Sequence, residues 1–178
     1  MMCAIDQTPR IETRRLTLRA PRMEDAARLA LLCNDLDIAR MVTSMPWPYG
    51  LEDAEGFIAR ASLADRRTDA AFLIEHDDEG VVGGLGFHTR GAAPIEVGYW
   101  IGKPFWGRGL AGEALVGAMS WAGRDWKKRV VAAGHFSDNP ASGRVLCRAG
   151  FLYTGQVELR SSRARNEPVP TRVMIWLP

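Results

Sequence analysis

The chain of 178 residues is 47% hydrophobic with a net charge of +2, enough length for one well-formed core and too mild a charge for the clustered basic face of a nucleic-acid binder. No apolar run approaches a membrane span and the opening MMCAIDQTPR lacks the apolar core of a signal peptide, so a soluble cytoplasmic protein is expected. Cys3, Cys33 and Cys147 are odd in number, widely spaced and without metal-ligand patterning, which predicts reduced thiols and no metal site.

Residues 1–10 show no clear periodicity and read as a loose tail, with one domain expected over 11–178. Arg15 to Arg19 alternates as a first strand, which Pro21 ends. From Met23 to Cys33, Ala26, Leu29, Ala30 and Cys33 share one helical face, with Glu24 and Asp25 in the first turn where the dipole favours acids. A short helical piece around Ile38 to Met41 leads to Met45-Pro-Trp-Pro-Tyr49, whose prolines predict an extended, exposed loop. Leu51 to Ala64 resumes helical spacing through Ala54, Phe57, Ile58 and Ala61. Ala71 to Ile74 and Val81 to Phe87 read as antiparallel strands around Asp77-Asp-Glu-Gly80, and Gly83-Gly84-Leu-Gly86 predicts a bulge or a close backbone neighbour.

After a loop from Thr89 to Pro94, Ile95, Val97, Tyr99 and Ile101 alternate with Glu96, Gly98 and Trp100 as a fourth strand. Ala111, Leu115, Ala118, Met119 and Ala122 then recur at helical steps. Between strand and helix lies Trp106-Gly107-Arg108-Gly109-Leu110-Ala111-Gly112. Glycines let the backbone approach a ligand, and a helix start offers unpaired N–H groups and the positive end of a dipole, so this turn predicts a phosphate or pyrophosphate site. Gly107, Gly109 and Gly112 also fit the dinucleotide pattern G-x-G-x-x-G of a nicotinamide enzyme. The next strand, Arg129 to Phe136, ends in Gly134-His135-Phe136-Ser137 without the acidic residue that binds ribose. A P-loop needs Gly-Lys before Ser or Thr, and Gly112 is followed by Glu113.

Asp138-Asn139-Pro140 sets an Asn cap before proline at the first helical position, Ala141, Val145, Leu146 and Ala149 make the apolar face, and Gly150 ends the helix. Phe151 to Arg160 and Val169 to Leu177 are the last strands, joined by a basic loop from Ser161 to Pro168. This order predicts an α/β fold: a mixed, mostly antiparallel sheet of six to seven strands with helices on both faces.

Trp106 to Ala111 resembles the acetyl-CoA loop of the GNAT superfamily of N-acetyltransferases, whose pattern is Gln or Arg, then x-x-G-x, then Gly or Ala. Trp106 replaces the Gln or Arg of most members, a departure usual in the Rim-type branch, similar to enzymes that modify ribosomal-protein N-termini. MPWPYGLEDAEGFI, VGYWIGKPFWGRGLAGEAL and DNPASGRVLCRAGF match the same branch. The resemblance covers the chain from about Glu12. It implies the GNAT fold, in which the fourth and fifth strands splay apart to make the cofactor cleft.

The resemblance also implies roles. Tyr99, Trp100 and Ile101 offer main-chain groups to the pantetheine arm of acetyl-CoA, while Trp106, Gly107, Arg108, Gly109, Leu110, Ala111 and Gly112 hold its pyrophosphate. Arg108 either reaches the phosphates or is solvated. Asn139 is explained as a helix cap and touches the cofactor in this branch. Ser142 donates to the departing thiolate, since Leu146 stands where many other members place a tyrosine; its bland alternative is a first-turn helix residue. The amine's base is Glu158, Glu96 or His135, whose reference pKa of about 6.5 suits the task. Cys147, late in its helix, does not support a covalent acetyl-enzyme. Trp47, Tyr49 and Arg160, with the loop from Arg160 to Glu167, select the acceptor; Arg163 and Arg165 meet an acidic group or face water. The expected activity is direct acetyl transfer from acetyl-CoA to a primary amine of a protein N-terminus or small molecule, by a monomer or homodimer. The alternative is a CoA-binding or regulatory protein of the same fold that has lost turnover.

Overall fold

The computed structural model describes residues 8–89 and 94–177; residues 1–7 of the expected tail and 90–93 of the expected loop lie outside them. Its strands are β1 (Ile11–Glu12), β2 (Leu16–Arg19), β3 (Ala70–His76), β4 (Gly80–His88), β5 (Glu96–Ile101), β6 (Val131–Phe136), β7 (Leu152–Ser162) and β8 (Glu167–Trp176). Its helices are α1 (Ala26–Cys33), α2 (Leu36–Ala39), α3 (Leu51–Leu63), α4 (Leu110–Arg124) and α5 (Pro140–Arg148). The strands form one sheet in the order β1-β2-β3-β4-β5-β6-β8-β7, antiparallel at every step except the parallel step from β5 to β6.

Eight strands stand where six or seven are expected, because β1 is too short to show alternation yet pairs Ile11 with Leu18 and Glu12 with Thr17. The hairpin of β7 and β8 is also longer than its apolar pattern: only 163–166 remain of the expected loop, and Asn166 N–H donates to Ser162 O at 2.8 Å. The backbone ladder needs no apolar side chain, so polar ends of strands escape a reading by hydrophobicity. Met45-Pro-Trp-Pro-Tyr49 departs too. Met45 and Tyr49 are buried and Pro46 half-buried, leaving Trp47 and Pro48 exposed. Prolines fix an extended backbone but do not say which side chains turn inward.

α4 and α5 pack on one face of the sheet and α1 and α3 on the other. Leu115, Ala118, Met119 and Ala122 of α4 are fully buried, and its Trp121 stands edge-on to Phe72 of β3 at 5.4 Å. Each large apolar side chain so buried contributes about 1.5–3 kcal/mol. The close backbone neighbour that the glycines of β4 predict is found at Gly83, where a Cβ would clash with Trp100 O; at Gly84 the neighbour is a side chain, a Cβ lying 2.7 Å from the Trp100 indole nitrogen.

Asp25 shows how packing overrides a local rule. Instead of lining a helix start in water, it is buried against Arg19, whose Nη1 and Nη2 donate to its two oxygens at 2.9 and 2.8 Å. Arg19 Nε also donates to Glu75 at 3.0 Å, tying β2, β3 and the turn before α1 together. Burial pushes the Asp25 carboxyl up, but the bonds from Arg19 and the Arg22 N–H outweigh it and hold the group below the usual carboxylate range. Asp25→Ala leaves a buried guanidinium with Glu75 as its one remaining carboxylate partner and is expected to cost about 3 kcal/mol in denaturant unfolding. Because the folded pKa is depressed, this stabilisation is complete above the unfolded value of about 3.9 and fades as pH falls through the folded value. The wild type therefore loses stability to acid over that window more steeply than Asp25→Ala does. Equal acid profiles would show that the pair does not carry this stability.

Candidate active site

The glycine turn forms as its composition requires. A 3-10 turn at Lys103–Phe105 follows β5, and Trp106 Nε1 donates back to Ile101 O at 2.6 Å, folding the indole against the strand end. Gly107 and Gly109 both have φ of 76°, the left-handed region that costs other residues about 1–2 kcal/mol. Gly109 caps α4 without a side chain, so helix geometry leaves the N–H groups of Leu110, Ala111 and Gly112 without intrahelical acceptors. A Cβ added to Gly112 would meet nothing within 4 Å. Gly109 and Gly112 line a hollow of about 570 Å³, bounded by Glu113 and Val116 of α4 and by Val145 and Arg148 of α5. Oriented N–H groups at the edge of an open hollow suit an anion.

A latch that sequence reasoning missed holds this turn. Glu113 accepts from Thr13 Oγ1 at 2.8 Å, from Arg15 N at 2.7 Å and from Arg15 Nε at 2.8 Å, and Arg15 Nη2 donates to Arg108 O at 3.2 Å. Burial raises the Glu113 carboxyl, but these bonds outweigh it and keep the group below its usual range. The partners lie 98 residues apart, and no local pattern joins them. Arg108 itself pairs with Glu79 at 3.1 Å on the surface.

Next to the turn the sheet splits. β5 and β6 share only the rungs Glu96 to Ala132 and Val97 to Ala133. Beyond them β5 continues through 98–101 and β6 through 134–136 with no rung between them among the described residues. Tyr99 reaches from β5 to the first turn of α5, where its hydroxyl lies 2.9 Å from Ser142 Oγ and 3.1 Å from Ser142 O. Asn139 is the expected cap, its Oδ1 accepting from Ser142 N at 3.2 Å. Leu146 is fully buried. Sequence reasoning gave Tyr99 a main-chain role only; its place in the row of Val97, Tyr99 and Ile101 was the available sign that the side chain faces the helices.

The other face of the split carries charge. Arg160 Nη1 bonds Glu96 at 2.7 Å and Arg160 Nε bonds Glu158 at 3.1 Å. Arg160 and Glu96 are largely buried while Glu158 is half exposed, so three expected residues meet in one cluster. Arg160 is thereby a buried tie rather than an open cation. Arg165, on the hairpin turn, is likewise taken up, by Asp138 at 2.8 Å and Arg40 O at 2.7 Å. Trp47 is available to a ligand, but Tyr49 is buried and burial pushes its phenol well above the ordinary value. His135 lies apart, buried on the helix face with Nδ1 2.9 Å from Phe136 O and Nε2 2.9 Å from Tyr153 Oη. Both ring nitrogens are engaged, which leaves none for a substrate amine. A second hollow, about 460 Å³, lies there between Tyr153, Arg172 and Cys147, on the flank of α5 turned away from the glycine turn.

Among the described residues no group of three or more His, Cys, Asp and Glu is placed to hold a metal, and no helix is long and apolar enough to cross a membrane. An uncharacterised N-acetyltransferase, p20, of Bacillus licheniformis is 31% identical over 147 residues, covering 80% of this chain and 82% of that one. The ribosomal protein uS5-alanine N-acetyltransferase of Escherichia coli (strain K12) is 29% identical over 158 residues, covering 82% and 79%. The fold matches Mycobacterium smegmatis RimJ in complex with CoA-disulfide at TM-score 0.83 and 21% identity, covering 97% of this chain and 88% of that one. It also matches the microcin C7 self-immunity acetyltransferase MccE in complex with acetyl-CoA and AMP at 0.80 and 18%, covering 93% of each. With the Acetyltransferase (GNAT) domain family matching residues 15–152, the chain belongs to the GNAT acetyltransferases, with relatives consistent with the Rim-type branch.

Proposed function

We propose that this protein, acting as one unit over residues 11–178, transfers an acetyl group from acetyl-CoA directly to a primary amine. The observation that carries the reading is the split between β5 and β6, which opens beside an anion-binding turn and has hydroxyls on one face and carboxylates on the other. The turn suits a pyrophosphate, and unpaired strand edges at 98–101 suit the amides of a pantetheine arm. The CoA and acetyl-CoA complexes of its structural neighbours support that donor.

The residues divide the chemistry between them. Glu96, Arg160 and Glu158 sum to one negative charge, which attracts a protonated amine. Glu158, the exposed member, takes the amine's proton through water; the freed amine then attacks the thioester carbonyl carbon as the carbon–sulfur bond breaks. Ser142, in the first turn of α5, donates a hydrogen bond to the thiolate that departs. Glu96 keeps Arg160 in place. The acceptor is a protein N-terminus, as for the uS5 relative, or a small amine.

Acetyl-CoA binding by calorimetry, followed by thiol release with N-terminal peptides, polyamines and aminoglycosides, tests the reading. Binding and release on one class are expected; binding without release on any would favour the non-catalytic alternative, and no binding would remove the donor. Gly112→Phe fills the open side of the turn while improving helix propensity, so affinity for acetyl-CoA should fall at least tenfold as the unfolding temperature holds or rises. Unchanged affinity would place the phosphates elsewhere. Glu158→Gln should lower kcat about 100-fold with little loss of stability, whereas Glu96→Gln should mainly destabilise. The reverse pattern would exchange the two roles.

A further inference from the structure

We propose that Tyr99 is a positioning residue for the leaving group: its hydroxyl, held on Ser142, turns the serine proton toward the sulfur of the cofactor. This rests on the reading of Ser142 as the donor to the departing thiolate. Tyr99 crosses from the end of β5 that has parted from β6 to the first turn of α5, where Oη is 2.9 Å from Ser142 Oγ and 3.1 Å from Ser142 O. Its neighbours in the same row, Val97 and Ile101, are buried aliphatic residues that fill the space without any polar contact. Packing alone would be served equally well by phenylalanine, so the hydroxyl calls for its own account.

Two hydroxyls meeting here own two protons, and with the bond between Oη and Oγ kept these can be arranged in two ways. In one, Tyr99 donates to Ser142 O and Ser142 donates to Tyr99, which consumes both protons. In the other, Tyr99 donates to Ser142 Oγ, and the serine O–H is free to point into the split. A developing negative charge on sulfur selects the second arrangement, since a charge-assisted hydrogen bond is about twice as strong as a neutral one, and a chained donor strengthens it further. Burial outweighs the Ser142 bond and pushes the Tyr99 phenol up to about 12, so it keeps its proton and serves as a donor. Without Tyr99 the serine hydroxyl, near a helix start, would turn back to a backbone carbonyl. The step balances without any proton leaving either side chain. The amine nitrogen forms its bond to carbon, the carbon–sulfur pair stays on sulfur, and the amine's proton goes to solvent through Glu158 and returns from solvent to the thiolate.

CoA itself is the probe, so no acceptor need be known. The protein is saturated with CoA and the thiol is titrated by its thiolate ultraviolet absorbance, with ligand-free protein subtracted at each pH. The bound thiol should titrate about one unit below free CoA in the wild type. Tyr99→Phe and Ser142→Ala should each lose most of that shift, and the double variant should match Ser142→Ala alone; by linkage, each should bind CoA about tenfold more weakly than wild type above the thiol's pKa while the difference fades below it, with the unfolding temperature close to wild type. A Tyr99→Phe protein that keeps the full shift while Ser142→Ala loses it would overturn the role of Tyr99, as would two losses that simply add. A Ser142→Ala protein with an unchanged shift would overturn the donor reading itself and Tyr99 with it, and failure of CoA to bind would overturn both.

Discussion

Arg160 is the tie that a split sheet needs. Where two central strands stop pairing, backbone groups lose their partners and the halves of the sheet lose the ladder that would hold them. Arg160 starts on β7 and ends on Glu96 of β5, passing over β6 where a Cβ on Gly134 would stand 2.7 Å from Nη1. A glycine under the guanidinium lets it lie flat across the gap. Its planar fork meets two carboxylates at once, which the single ammonium of a lysine would not match. Burying these charges is tolerable only because each meets a partner. The same pairing that closes the fold therefore sets the charge of the acceptor side.

The helix face is closed differently. Tyr99 and Ser142 join through neutral hydroxyls, and α5 rests on His135 and Tyr153, with Gly143 allowing the close approach: a Cβ there would lie 2.6 Å from the tyrosine hydroxyl. Neutral hydrogen bonds are about half as strong as charge-assisted ones. The sheet is thus tied by charge on one face and by hydroxyls on the face that α5 covers. That is the side on which the glycine turn, α4 and α5 border the open hollow.

Much of this was legible in the sequence because it is written in local pattern. The alternation of Ile95 to Ile101, the glycines of the turn, and Asn139 before Pro140 each fix a backbone conformation, and the strand, the left-handed turn and the capped helix all stand where they are expected. What stayed hidden depends on pairs distant in sequence. Glu113 reads as an ordinary first-turn acid until Arg15 is placed beside it, and Asp25 until Arg19 is. Arg160 reads as a residue that selects the acceptor, and Arg165 as one that meets an acidic group or faces water, since nothing local shows that Glu96 and Asp138 wait for them. The splay itself came from resemblance, because a strand that leaves its partner halfway keeps the same alternation to its end.

These hidden pairings bear on what kind of acceptor the protein can choose. Arginines at the mouth of a site suggest selection for an acidic group beside the amine, but Arg160 is spent on Glu96 and Glu158, and Arg165 on Asp138. Arg163 remains exposed, with one bond to Ser44 O at 3.4 Å. The charged face of the split is thus net negative at its centre. On the proposed function, an anionic donor would be drawn to the N–H groups of the glycine turn and a cationic amine to the carboxylates, which would sort the two substrates to opposite ends of one gap. The chain's overall charge of +2 gives no hint of this separation. On the proposed function, selection between amines would fall to shape, with exposed Trp47 and the hairpin turn at 163–166 as the expected determinants; the turn's position is fixed by the bonds of Arg165 to Arg40 O and Asp138.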